Sequence, residues 1–193
     1  MSATDPTRAI LDACILIPAA LRDTLLRTAA VGLYQPCWSE DILAEVQRNL
    51  VAHRMTTPGR ALRLVATMRR AFPQAMVEGY THRVAELETH PDDRHVLAAA
   101  IVADAGVIVT ANLRHFPVAA LAPHDVIALD PDTFLFDLVG RAPLTLARVI
   151  LDQAADLQNP PATPGDILTR LHGHTPRFVR SVRAILDQGS PGS

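Results

Sequence analysis

Three carboxylates stand out by residue type and setting: Asp12, Glu45 and Asp93. Asp12 closes the apolar run at 8–12, the pattern of a buried parallel strand whose tip carries a polar group, and open α/β sheets bind ligands at such tips. Glu45 borders the apolar stripe of Ile42, Leu43, Val46 and Leu50 on an amphipathic helix. Asp93, next to Asp92, precedes a segment over 96–105 too apolar to want charge. Each has an ordinary reading by itself: a chain turn, a solvated partner for helix neighbours, a helix cap. Together they can converge over one end of a single sheet. Like charges held within a few ångströms repel, so such a cluster calls for a divalent cation. Magnesium suits it, because it takes a few hard oxygens, keeps several waters and leaves room for a phosphate. Hydrolysis of a phosphodiester is the reaction that fits. The zinc-protease, P-loop and serine-hydrolase patterns are all missing from the sequence.

Alternating strands and helices must position these groups. The pattern predicts strands ending near Asp12 and over 32–38, 107–110 and 125–129, with a short extended piece over 76–80. Helices are expected after Pro18, over 40–50 with Ser39 as cap, over 59–72, from Pro91 to near Gly106, and over 131–139, with a helical turn over 83–87. In the 59–72 helix, Leu64, Val65, Met68 and Phe72 share one face and Arg60, Arg63 and Arg70 the opposite one. A parallel sheet covered by helices follows. Beyond Gly140 the pattern turns purely helical, over 144–157, 164–171 and 176–186, broken at Pro160 and Pro161. The expected organisation is a main α/β domain over 7–139, a helical extension over 140–188, and flexible ends at 1–6 and 189–193.

Composition narrows the function. A chain of 193 residues holds one full core with a small appendage, so one active centre is expected. No apolar run reaches the roughly 18 residues that span a bilayer, and the start lacks a secretory pattern, so a cytoplasmic protein without membrane contact is expected. Cys14 and Cys37 read as reduced core thiols. The net charge of -2 excludes nucleic-acid binding by overall positive charge and leaves only a local patch. All 18 basic residues are arginine, and Arg60, Arg63 and Arg70 could track a phosphate backbone from one helical face, although a solvated face shows the same residues.

The stretches L-D-A-C-I-L-I at 11–17, P-C-W-S-E-D-I-L-A-E-V at 36–46, D-D-R-H-V-L-A-A-A-I from Asp92 and V-I-V-T-A-N-L-R-H-F-P ending at Pro117 closely resemble the PIN-domain family, most of all its bacterial VapC-type toxin branch. The resemblance covers 7–139. It implies a parallel sheet flanked by helices, Mg2+ or Mn2+ in an acidic pocket, and endonucleolytic cleavage of RNA. Carried over by position, it implies Asp12 as first metal ligand, Glu45 as the helix carboxylate, and Asp93 as third acid and second direct ligand. Asn112 stands where many members carry a further aspartate, and an amide brings no charge there. The Thr110 hydroxyl can support the pocket or make a local turn. His95 and His115 read as solvated more readily than as acid–base groups. The resemblance further implies a cognate antitoxin protein that restrains the activity. It suggests a homodimer, while a monomer with the extension folded back also fits. Two other classes remain open: a PIN-fold RNA-binding module of weak activity, and an α/β phosphatase with Asp12 as nucleophile, which would want an aspartate where Cys14 stands.

Overall fold

The computed structural model describes residues 7–189. Packing divides the chain into two units, one running through Ile17 and resuming over Tyr34–Leu129, the other formed by Pro18–Leu33 with the chain from Asp130 onward.

The first unit contains the strands β1 (Arg8–Leu11), β2 (Gln35–Ser39), β3 (Met76–Val77), β4 (Val107–Val109) and β5 (Ile127–Leu129). All pair in parallel, in the order β3-β2-β1-β4-β5. Its helices are α1 (Ala13–Leu16), α3 (Glu40–Ala52), α4 (Pro58–Ala71), α5 (Arg94–Val102) and α6 (Val118–Leu121). Consecutive residues Ala9, Ile10 and Leu11 are all fully buried, as a parallel strand covered on both faces requires. The five successive residues from Val96 to Ala100 are buried as well, and α5 packs against β1, β2 and β4. Ser39 caps α3 by accepting a hydrogen bond from the Ile42 N–H.

The second unit holds α2 (Ala19–Ala30), α7 (Pro131–Arg141), α8 (Pro143–Ala155), α9 (Pro164–Leu171) and α10 (Pro176–Gly189). Here α10 packs on α7, α8 and α9, and α2 packs on α8 and α9. Leu21, Leu25, Leu135, Ile150, Leu171 and Phe178 form the core. Buried polar groups are paired: the Thr24 hydroxyl donates to Gln153 Oε1 at 2.8 Å, and Asp132 Oδ1 accepts from the Phe178 N–H at 2.9 Å.

The α/β class with a helical C-terminal region is as expected, and several boundaries move. The unit boundary falls at 129/130 rather than 139/140, because α7 packs on α10, and α2 joins the helical unit. β5 begins at Ile127, since Asp125 takes a left-handed φ of 55° that interrupts an extended strand. α5 stops at Val102, because Asp104, at φ 51°, takes the left-handed position expected of Gly106. On α4 the buried stripe is Ala61, Val65 and Met68; Leu64 and Phe72 are half-buried, with the Phe72 ring edge-on to Trp38 at 5.9 Å. Of the ends expected to be flexible, 1–6 and 189–193, residues 1–6 and 190–193 lie outside the described residues, and Gly189 closes α10. Among the described residues no helix is long and apolar enough to cross a membrane.

Candidate active site

The strand order reverses direction at β1, with β2 and β3 on one side and β4 and β5 on the other. Such a switch point opens a crevice at the carboxyl ends of the strands, here between β1 and β4. Leu11 pairs with Val109, so the next residues on each strand, Asp12 and Thr110, stand side by side at its mouth. Asp12 is 2% exposed, and its N–H donates to the Val109 carbonyl at 3.1 Å.

A small network fixes the Asp12 carboxylate. The buried Thr110 hydroxyl donates to Asp12 Oδ2 at 2.6 Å and accepts from the Asn112 N–H at 3.0 Å. The Cys14 thiol donates to the same Oδ2 at 3.1 Å, while the Ala111 N–H donates to Cys14 Sγ at 3.3 Å. Burial, then the Asp12 charge, pushes the Cys14 thiol up to about 12, so it stays a protonated donor. Neither cysteine is in a disulfide.

Glu45 projects from α3, and Asn49 Nδ2 donates to its Oε1 at 3.4 Å. Burial pushes the Glu45 carboxyl above its ordinary value of 4.5; the Asp12 and Asp93 charges push the same way, while His95 and Arg48 oppose them. Asp12 and Asp93 therefore both lie within electrostatic reach of Glu45. A cavity of about 400 Å³ opens beside Glu45 and Asp93, lined by Asp41, Glu45, Arg48, Asn49, Asp92, Asp93 and His95, while the buried Asp12 does not line it. His95 Nε2 is buried without a hydrogen-bond partner and lies 3.9 Å from Glu45 Oε2. A larger cavity of about 790 Å³ lies against α6 and β5 with mostly apolar walls, and none of the three acids lines it.

Asp93 ends a single helical turn, Pro91–Asp93, and makes no side-chain cap bond to α5, so capping does not explain it. Its side chain is 13% exposed, and His115 Nδ1 lies 2.8 Å from its Oδ2. His115 arrives on the turn Leu113–His115, and its carbonyl accepts from the His90 N–H at 3.4 Å. The sequence offered no signal for His90 or Cys14 as neighbours of the acids, and His115 read as solvated. Asn112 reaches the network through its backbone N–H. Arg60, Arg63 and Arg70 are exposed on α4 and do not line the acidic cavity, where Arg48 does.

The raised Glu45 carboxyl has a consequence for stability. A folded-state pKa above the unfolded one means that the folded chain binds more protons, so metal-free stability falls as pH rises from about 4.5 through the raised value. Glu45→Gln should flatten this fall and leave the variant the more stable chain at neutral pH, as urea melts in chelator at several pH values would show. An equal slope in both chains would contradict the coupling.

Residues 8–114 match the family model described as PIN domain, and residues 131–184 match one described as VapC50 C-terminal domain. A Mycobacterium tuberculosis protein named "Putative ribonuclease VapC50" is 41% identical over 117 residues, covering 61% of this chain and 69% of that protein. No solved structure gives a significant match. The parallel sheet, Asp12 at its switch point and these matches together place the chain in the PIN-domain family, in its VapC-type branch.

Proposed function

We propose that this chain is a divalent-cation-dependent endoribonuclease and acts as the toxin of a toxin–antitoxin pair. The observation that carries the chemistry is that the Asp12 and Asp93 charges both act on Glu45, with Asp12 at the switch-point crevice. The name of the M. tuberculosis relative and the PIN-domain match support RNA as the substrate.

The donor set fits Mg2+ or Mn2+. Asp12 and Asp93 offer hard carboxylate oxygens, and Glu45 adds a third acid whose ionised form is disfavoured by burial and by their charges, which a cation would relieve. Asp12 and Asp93 would hold the cation, which would supply charge neutralisation on the phosphoryl group and acidify water. The chain's own residues do the rest. Thr110 and Cys14 fix the Asp12 oxygen that faces them. Glu45, which lines the same cavity as Asp93 and is not assigned to the cation, is the carboxylate left to accept a proton from attacking water. Asn112 reaches the network through its backbone N–H and brings no charge, so one cation rather than two is the proposed load of the acidic pocket.

Cleavage of a mixed RNA pool should require Mg2+ or Mn2+ and cease in excess chelator, with restored cation restoring cleavage. RNA binding without any cation-dependent cleavage would instead indicate a binding module. The exposed arginines of α4 are proposed to hold the RNA backbone. Replacing Arg60, Arg63 and Arg70 together by glutamine should weaken binding uniformly across sequences and reduce the salt slope of log K by about two, for three lost phosphate contacts on a single strand. An unchanged slope would remove α4 from the RNA path.

A further inference from the structure

The helical unit carries a concentration of positive charge that the rest of the chain lacks. Residues 167–186 hold four arginines, two histidines and no acidic residue, whereas the other 14 arginines are set against 20 acidic residues. This stretch closes α9 and forms most of α10, and the two helices pack on one another. Phe178, Val179 and Val182 are buried, so Arg177, Arg180 and Arg183 stand exposed along the outer side of α10. A groove of about 260 Å³ runs there, lined by His172, Pro176, Val179, Arg180 and Arg183. Among the described residues the arginine ion pairs lie elsewhere, on Arg27, Arg69 and Arg148. Asp187, one turn beyond Arg183, makes none with it, and Arg170 alone in the stretch acts on an acid, Asp166. Arg177 is held over the Phe136 ring of α7, 4.0 Å from its centroid, and a guanidinium stacked by its face keeps its in-plane N–H fork available.

We propose that this face of the helical unit, centred on Arg180 and Arg183, is an RNA-binding surface that holds the phosphate backbone. The choice of RNA rests on the ribonuclease reading above, and the surface itself rests on charge complementarity. A chain of net charge -2 attracts a polyanion only where positive charge is locally in excess. Guanidinium forks match phosphate oxygens bidentately, and such contacts hold a strand without reading its sequence. Arg177, Arg180 and Arg183 follow one another at about 4.5 Å along the helix axis, so the row presents cations to a ligand that carries a charge on every nucleotide. An acidic protein segment offers the same sign of charge but spaces it irregularly, which fits a continuous row less well.

The test measures binding without cleavage, so it is independent of the nuclease chemistry. A fluorescent single-stranded RNA of mixed sequence is titrated with the full chain in excess chelator, over a series of salt concentrations. Replacing Arg180 and Arg183 together by glutamine should weaken binding on the order of ten-fold at 0.1 M salt and reduce the salt slope of log K by about 1.4, for two lost phosphate contacts. Both side chains are exposed, so the fold is not at stake. Replacing Arg141 and Arg148 by glutamine removes the same net charge from the same unit and should leave the slope unchanged. Equal losses in the two double variants, or an unchanged slope in the first, overturn the surface even if the chain cuts RNA. RNA held by α10 in a chain that never cuts it upholds the surface and removes only the nuclease reading. Polyglutamate of matched length is the competitor: it should displace the RNA poorly, and displacement at equal charge concentration would assign the face to an acidic protein partner instead.

Discussion

Asp12→Asn should reduce RNA cleavage by at least about a hundred-fold, since outer groups that only orient a metal ligand already cost 10–100-fold. The variant should remain folded. Asparagine keeps a carbonyl oxygen that can accept the Thr110 hydroxyl in place of Oδ2, and the Asp12 N–H still bonds the Val109 carbonyl. What disappears is a buried negative charge that pushes on Glu45. Metal-free stability should therefore hold or rise, with the Glu45 carboxyl returning toward its ordinary range. Glu45→Gln tests the repulsion from the other side, and because the two positions are coupled, their stability effects should not add. Cleavage at the wild-type rate with an unaltered melting temperature would remove Asp12 from the chemistry. A collapse of the fold would show that its role is structural.

Local patterns made the parallel sheet and its acids legible. An apolar run ending in aspartate marks β1 and Asp12, and a serine ahead of an amphipathic stripe marks the start of α3, which carries Glu45. Both are signals within a few residues of the group they place. The contact of Asp93 with His115 was not legible, because His115 reaches it from a turn 22 residues on, and nothing in either segment's periodicity brings the two turns together. The membership of α2 was hidden for the same reason. Its buried Thr24 hydroxyl reaches, besides the Ala20 carbonyl one turn back, the Gln153 side chain 129 residues away, a pairing that no local propensity encodes. Asp104 in the position expected of Gly106 shows a smaller limit: aspartate tolerates a left-handed backbone well enough to end a helix before the glycine arrives.

Expression of the chain by itself should arrest bacterial growth, Asp12→Asn should relieve the arrest, and co-expression of a protein encoded beside it should restore growth to the wild-type chain. An unrestrained cation-dependent ribonuclease destroys what its host needs for translation, so the toxin reading requires control. The control proposed is a small antitoxin with a segment that is disordered when free and folds onto the nuclease as it binds. Mutually repelling carboxylates beside a cavity of about 400 Å³ make a favourable seat for an arginine from that segment. A guanidinium can pair bidentately with a carboxylate and take the place of the cation. Inhibition should then weaken as Mg2+ is raised against a fixed amount of antitoxin, since both compete for Asp12 and Asp93; an inhibitor that blocked only the RNA path on α4 would leave cation affinity untouched. Normal growth with abundant soluble wild-type protein would sink the toxin role and leave the nuclease chemistry to be judged on cleavage alone.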